Sequence, residues 1–573
     1  MLDLSRLSCL GEVLRDALLT YKSNVALLEI DRYKETARYD YAQLRAEAER
    51  VGALMQATGL LPAGRCAILM SNQAKWVVSS VAAAWCGAVL VPLDYKLTPE
   101  EQLALLEHAQ PALLVIEYPA WRELQALARP CPARTRVLVT EAPAGVALEG
   151  AQRWEQSVAT PIQLRMRARD DVAAIVYSSG TSGAPKGCML THDNYLEQAQ
   201  VLGRMFVMEE SDRYLSVLPT NHAIDFMCGT VIPFLYGAAV VHQRTLRAEF
   251  LAPTMKRYGV THTAFVPRIL RALRERIEEQ LDELPDWQRR AIDALASANE
   301  LATMRSPSHR LSSALLKPVH DRFGGRLRQI FAGGAFVEPE LAQFFYRLGF
   351  PVLIGYGLTE ACTVLTVNDL KPFRATTVGR AVAGVELELR DVAADGVGEV
   401  YARGRTIMRG YLDAPELTAE ALVAGWLRTG DLGTIDAAGH LRLLGRAKNV
   451  IVTEGGKNVY PEDIEAAFAT VDCEELTVLA SSLLQPEVAT SSRGLSARGD
   501  TLTLVVRPRK DQPASALVAQ IAAANLKLAD YKRVARYLLW EREFPRTASM
   551  KVKREPLARE LRAAERAAQL LAS

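Results

Sequence analysis

The 573-residue chain has eight cysteines, Cys9, Cys66, Cys86, Cys131, Cys188, Cys228, Cys362 and Cys473, but no CxxC pair. That absence removes the usual zinc and dithiol spacings. Several of the cysteines lie in apolar runs, so they are expected to be reduced core thiols in a reducing compartment. Net charge is only +2, too little to suggest a nucleic-acid or polyanion binder. Repeats and low-complexity segments are lacking. The N-terminal stretch MLDLSRLSCLGEVLRD has no basic segment followed by an apolar one, so no secretory signal is expected. Long uncharged runs are scarce. One of the longest, WVVSSVAAAWCGAVLVPL at 76–93, is long enough to consider as a membrane span. Gly87 splits it and Pro92 ends it, so a buried helix followed by a short strand is expected. The expected location is cytoplasmic, with no transmembrane segment; contact with a membrane surface stays open.

What is present is ordinary globular material. Hydrophobic residues make up 49% and charged residues 23%, enough for a large core and more than one domain. Helical stretches alternate with short apolar strands such as CAILM and PALLVIE, and then YLSVLP, AAVVHQ and THTAFVP. That rhythm predicts an α/β fold with largely parallel sheets. A wholly helical pattern interrupts it at about 268–325. From about 378 to 447 alternating strands with Gly and Asp turns predict a β-rich subdomain. A smaller α+β unit follows. The expected division is a large domain over 1–447 and a small domain over 448–573.

One loop carries more chemistry than its neighbours. The stretch YSSGTSGAPKG, at 177–187, follows the apolar run DVAAIVY. Glycines let backbone N–H groups turn inward, hydroxyls add donors and Lys186 adds charge, a combination suited to polyphosphate oxygens. It is not a P-loop, which needs Gly directly before Lys and a helix starting there. Here Pro185 precedes Lys186, and a helix start fits Thr191 or Asp193, both good N-cap types. Composition alone leaves a flexible surface loop equally open.

The loop resembles the signature of the acyl-adenylate-forming (AMP-binding) superfamily, with Ser178 and Ser182 where Thr is usual. Further stretches resemble that family's motifs in order: LPTNH (218–222), FAGGA (331–335), GYGLTEA (355–361), GWLRTGDLG (425–433), LLGRAKNVIV (443–452), GGKNVYPEDIE (455–465) and FPRTASMKVKR (544–554). The resemblance implies two half-reactions. A carboxylate attacks the α-phosphate of ATP to give acyl-AMP and pyrophosphate, and a thiol then takes the acyl group.

It also implies roles. Ser178, Ser179, Gly180, Thr181, Ser182, Gly183 and Lys186 would hold the ATP phosphates. Glu360 would bind magnesium, a hard cation that takes one or two carboxylates beside phosphates, and Thr359 would bond a phosphate oxygen. Tyr356 would stack on adenine, with Gly333, Gly334, Ala335 and Gly357 lining the nucleotide. Asp431 would accept from the ribose hydroxyls, since a carboxylate can take two such bonds. Arg446 would contact ribose or phosphate. Lys551 would bridge carboxylate and phosphate, although Met550 stands where the family motif has glycine; Lys553, two residues on, is the competing choice. Lys448 would be the hinge for a small domain that swings between half-reactions. Gly455, Gly456 and Lys457 would face the thiol. His222, Asp225 and Phe226 would flank the acyl path.

The helical segment and the TASMKVKR variant are similar to long-chain fatty acyl-CoA synthetases, which implies a long- or medium-chain fatty acid, ATP, magnesium and coenzyme A. The alternatives are a fatty acyl-AMP ligase serving an acyl carrier protein, and a non-catalytic acyl-adenylate-binding regulator. A homodimer also stays open.

Overall fold

The computed structural model describes residues 1–127, 129, 131–178, 185–245, 247–453, 457–484, 500–510, 512–546 and 552–572. Two compact units emerge. The first comprises Met1–Leu387, Ala402–Arg428 and Ala437–His440. The second comprises Glu388–Tyr401, Thr429–Asp436 and Leu441–Ser573.

The first unit holds two large sheets. One has eight strands in the order Gly410–Tyr411, Lys186–Thr191, Val172–Ser178, Val89–Leu93, Arg65–Leu69, Leu113–Glu117, Arg136–Thr140 and Gln152–Arg153. Its centre is parallel, with Leu69 opposite Leu93 and Ile116. The first three strands pair antiparallel with one another, and Val172–Ser178 joins Val89–Leu93 in parallel. The other sheet has nine strands, running from Arg380–Ala381 through Val352–Tyr356 and Gln329–Ala332 to Val25–Asp31 and Lys34–Asp40. Its middle strands are parallel. Runs of Val, Ile, Leu and Ala with no polar interruption suit strands covered on both faces.

The apolar run at 76–93 is a helix, Ala74–Trp85, and a strand, Val89–Leu93. Both Trp76 and Trp85 are buried. Gly87 adopts φ +69° between the helix and the strand, the left-handed turn that a glycine enters without steric cost. No helix among the described residues is long and apolar enough to cross a membrane. The helical stretch resolves into Pro267–Asp282, Asp286–Thr303, His309–Leu315 and Lys317–Arg322. Six of the cysteines are buried, Cys131 and Cys473 are half-buried, and all eight are free thiols.

The second unit has its own core. Strand Leu502–Arg507 pairs antiparallel with Glu475–Ala480 and in parallel with Arg536–Leu539. Val459, Ile464, Phe468, Leu504, Leu517 and Ile521 pack together around it.

Candidate active site

The glycine- and hydroxyl-rich loop joins the antiparallel strands Val172–Ser178 and Lys186–Thr191, with Ser178 opposite Lys186. Lys186 therefore begins a strand, not a helix, which separates this loop from a P-loop in backbone terms. The helix comes later. Thr191 caps His192–Met205: its Oγ1 accepts from the Asn194 N–H at 3.2 Å, and Asn194 Oδ1 accepts from the Thr191 N–H at 2.8 Å. Ser179, Gly180, Thr181, Ser182 and Gly183 lie outside the described residues.

Asn194 has a second task. Its amide donates to the carbonyls of Arg405 at 2.7 Å and Ile407 at 3.0 Å. Arg405 Nε also reaches Asp193 Oδ2 at 3.0 Å. These contacts anchor the segment leading to Gly410–Tyr411, which then pairs with the loop's second strand, Tyr411 opposite Cys188. The Tyr411 hydroxyl consequently donates to Glu360 Oε1 at 2.9 Å. Ser178 Oγ donates to the same oxygen at 3.3 Å. The Lys186 ammonium lies 5.5 Å from the centre of the Tyr411 ring, within cation–π range.

Glu360 is fixed from its backbone as well. It sits in the single turn Thr359–Ala361, and its carbonyl accepts from the Met408 N–H at 2.8 Å. The residues after it, Cys362 and Thr363, take φ of +53° and +115°, uncommon for side chains with a Cβ and often found at functional turns. Gly357 is required here. A Cβ at that position would lie 1.6 Å from the Thr363 carbonyl oxygen. Burial first, and the charge of Glu360 next, push the Cys188 thiol well above its ordinary range. A neutral thiol thus borders the carboxylate.

Magnesium can be tested against this donor set. Among the described residues no group of three or more His, Cys, Asp or Glu side chains could hold a metal by itself. Both hydroxyl contacts on Glu360 go to Oε1, and neither carries a charge that would neutralise it. A single anionic oxygen ligand of this kind fits a cation whose other ligands are phosphate oxygens and water. The residues present therefore fit the ion.

Nearby, Gly333, Gly334 and Ala335 follow strand Gln329–Ala332, and Tyr356 ends the adjoining strand Val352–Tyr356. A Cβ at Gly333 would lie 2.9 Å from the Gly355 carbonyl oxygen, and Gly334 adopts φ +78°. Tyr356 is buried. Thr359, beside Glu360, opens the turn that holds it.

The LPTNH stretch is tied to the core by Asn72, which donates to the Leu218 carbonyl at 2.5 Å and accepts from the Thr220 N–H at 2.9 Å. His222 is half-buried and caps the short helix Ala223–Phe226. Asp225 and Phe226 are buried. Asp225 accepts from Ser216 Oγ at 2.8 Å. Burial pushes its carboxyl up to about 7. Phe226 meets Trp76 and Tyr195 edge-on, with ring centres at 5.7 and 5.9 Å.

The second unit carries its own motif residues. Asp431 and Arg446 stand opposite each other on antiparallel strands, and Arg446 Nε contacts Asp431 Oδ1 at 2.8 Å. The Asp431 N–H donates to Thr429 Oγ1 at 3.1 Å. Gly430 takes φ +72° with open space where a Cβ would stand. Lys448 lies in the turn Ala447–Asn449 that follows. Lys457 precedes the short strand Asn458–Val459, its ammonium 4.7 Å from the Tyr531 ring centre. Gly455, Gly456 and Lys551 lie outside the described residues. On either side of Lys551, Arg546 bridges Val552, and the Lys553 N–H donates to the Pro545 carbonyl at 2.7 Å.

Tyr411, Asn194 and Cys188 were not singled out in the sequence. Their signal is weak: a Gly-Tyr pair before a turn, an Asn in a helix cap and a cysteine in an apolar strand.

Known proteins bear on this arrangement. The chain is 27% identical over 525 residues to the long-chain-fatty-acid–CoA ligase ACSBG1 of Mus musculus, covering 87% of this chain and 71% of that one. It is 26% identical to the chloroplastic long-chain-fatty-acid–[acyl-carrier-protein] ligase AEE15 of Arabidopsis thaliana, over 82% of this chain and 74% of the relative. Among solved structures, the o-succinylbenzoate coenzyme A synthetase of Bacillus subtilis, in complex with ATP and magnesium, superposes with a TM-score of 0.71. It is 22% identical, over 95% of this chain and 98% of the other, a likeness of fold. The family described as AMP-binding enzyme matches residues 14–412, most of the chain, and the chain belongs to that family.

Proposed function

We propose that the protein is an ATP-dependent acid–thiol ligase that activates a long- or medium-chain fatty acid as acyl-AMP and transfers the acyl group to coenzyme A. The observation that carries this reading is the match along 87% of the chain to a relative named as a long-chain-fatty-acid–CoA ligase. The setting of Glu360 is consistent with it.

The chemistry divides among the chain's own groups. In the first half-reaction a carboxylate oxygen bonds to the α-phosphorus and the bond to pyrophosphate breaks. Two anions must approach, so charge has to be offset where it develops. Lys186 and the hydroxyls of the loop at 178–183 take the pyrophosphate side. Lys551 takes the carboxylate and α-phosphate. Glu360, steadied by Tyr411 and Ser178, would hold magnesium, with Thr359 beside it on a phosphate oxygen. When bound, that ion supplies charge neutralisation between phosphates. Tyr356, Gly333, Gly334, Ala335 and Gly357 serve the base. Asp431 accepts from the ribose diol and Arg446 holds Asp431 in place while contacting ribose or phosphate. His222 gates the acyl path, with Asp225 and Phe226 forming its wall from behind.

In the second half-reaction the thiol of coenzyme A attacks the acyl carbon and AMP leaves. Lys448 is the hinge for the change between halves, and Gly455, Gly456 and Lys457 face the incoming thiol. The large domain over 1–447 and small domain over 448–573 are the bodies that move.

The test supplies ATP, magnesium, fatty acids of graded length and coenzyme A. Acyl-CoA, AMP and pyrophosphate in equal amounts are expected. Acyl-AMP that accumulates without thioester would overturn coenzyme A as acceptor. The relative named as an acyl-carrier-protein ligase favours a second reading, in which a carrier's phosphopantetheine is the thiol. Carrier protein replacing coenzyme A in the same assay separates the two. Absence of any carboxylate-dependent ATP–pyrophosphate exchange would leave only a binding role.

A further inference from the structure

The helix Asp286–Thr303 presents its apolar residues outward. At ~100° per residue, Trp287, Ala291, Ala294, Leu295, Ala298 and Leu301 share one face, and all six are exposed. Trp287 is 66% and Leu301 74% exposed, values unusual for large apolar side chains on one contiguous strip. The opposite face does the packing. Ala296, Asn299 and Thr303 are buried. Asn299 donates to the Arg347 carbonyl at 3.1 Å and accepts from Ser312 Oγ at 2.7 Å. The helix is thus already seated on its own domain, and the apolar strip is surplus to that seating.

The charges on this helix are sorted. Arg347 pairs with Asp293 at 2.9 Å and with Glu300 at 3.2 Å, both off the apolar strip. Arg289 pairs with Asp286 at 3.4 Å. Every carboxylate of the helix is therefore held by an arginine. Arg290, on the flank of the strip, and Arg305, two residues past the helix end, are exposed and form no ion pair among the described residues. An apolar strip with an indole and two uncompensated guanidinium groups matches the layering of a lipid surface. Such a strip sinks to the acyl boundary while its cations meet anionic headgroups.

We propose that this face is a docking surface for an anionic lipid bilayer, with the helix lying in the plane of the interface. Its use rests on the fatty-acid reading above, because a long-chain acid partitions into bilayers and would be drawn from there. The docking itself needs no catalysis, so it can be tested separately.

The full chain is mixed with phosphatidylcholine vesicles, with and without phosphatidylglycerol, and floated through a density gradient. Co-flotation with the anionic vesicles, weakened by salt, is expected. Arg290→Ala with Arg305→Ala should lower that binding about 30-fold. Trp287→Glu with Leu301→Glu should lower it at least ~10-fold. Both pairs should keep wild-type acyl-AMP formation from a short, water-soluble acid, since all four residues are exposed and distant in sequence from the site motifs. Wild-type protein that fails to float, equal binding to uncharged vesicles, or variants that float like wild type would each overturn the proposal. So would a dimer in solution that Trp287→Glu dissociates with no vesicle binding, because the strip would then belong to a second copy of the chain. Loss of ligase activity with flotation intact would count against the fatty-acid reading and leave the docking surface standing.

Discussion

Glu360, in a tight turn, and Asp431, on a strand, are both fixed carboxylates, and they are fixed in opposite ways. Glu360 is held by two neutral hydroxyls, from Tyr411 and Ser178, on one oxygen. Asp431 is held by a guanidinium, Arg446, at 2.8 Å. A carboxylate steadied by hydroxyls keeps its negative charge uncompensated, which suits a divalent cation. One paired with arginine has its charge balanced but retains acceptor lone pairs, which suits a neutral diol. The partner chosen for each carboxylate thus matches the charge of the ligand proposed for it.

The largest effect should come from removing the uncompensated charge. Glu360→Gln keeps the shape and both hydroxyl contacts but loses the anion. Adenylation, followed as ATP–pyrophosphate exchange, should fall ~10²–10³-fold, and half-saturation by magnesium should move to higher concentration. Unchanged magnesium dependence would mean that Glu360 is not the ligand and that the contrast with Asp431 is coincidental.

The loops around the two carboxylates should differ as sharply in stability. Gly357→Ala drives a methyl into the Thr363 carbonyl at 1.6 Å, so the turn before Glu360 must shift, at about 3 kcal/mol or more. Gly430→Ala meets open space at φ +72° and incurs only the left-handed backbone cost, about 1 kcal/mol. Denaturant unfolding of the two variants checks the ranking. Equal losses would show that the Glu360 loop yields as readily as the Asp431 hairpin.

Asp431→Asn sharpens the other half of the contrast. It removes the ion pair with Arg446 and one acceptor. The KM for ATP should rise about 10-fold, in line with a lost charged hydrogen bond, with a smaller change in kcat and no change in magnesium half-saturation. A shift in magnesium dependence as large as that of Glu360→Gln would erase the distinction between the two carboxylates.

The extent to which the site was legible follows from where its residues lie. The helix start at Thr191 and the split of the 76–93 run are local patterns, set by glycine, proline and capping chemistry within a few residues, and the fold follows them. The alternation of helices and apolar strands likewise foretold parallel sheets. Tyr411 was not legible because it reaches Glu360 only through the pairing of Gly410–Tyr411 with Met189 and Cys188, more than two hundred residues earlier. Asn194 follows the helix start read at Thr191 or Asp193 and has no signal of its own. Its grip on Arg405 and Ile407 depends on the same distant register. The depth of Asp225 was equally hidden, because its partner Ser216 comes from a separate strand. The burial sorting of the Asp286–Thr303 helix lay partly in its periodicity, but which face looks outward is settled by Asn299 and its partners.

The smallest effect tests the hydroxyls themselves. Tyr411→Phe keeps the ring beside Lys186 and removes one donor to Glu360 Oε1, leaving Ser178 in place. A single neutral hydrogen bond is worth about 1 kcal/mol, so kcat for adenylation should fall about fivefold. Because the donor orients Glu360 and carries no charge, the magnesium half-saturation should move far less than in Glu360→Gln. Ser178→Ala should behave similarly but more weakly, its contact being longer, 3.3 Å against 2.9 Å. The double variant should lose about as much as the two single losses multiplied if each hydroxyl acts alone. A much larger combined loss would show that one hydroxyl suffices to orient the carboxylate and that both together secure it. Tyr411→Phe with wild-type kcat would show that Ser178 and the backbone turn suffice to hold Glu360, and the Tyr411 hydroxyl would no longer distinguish it from Asp431.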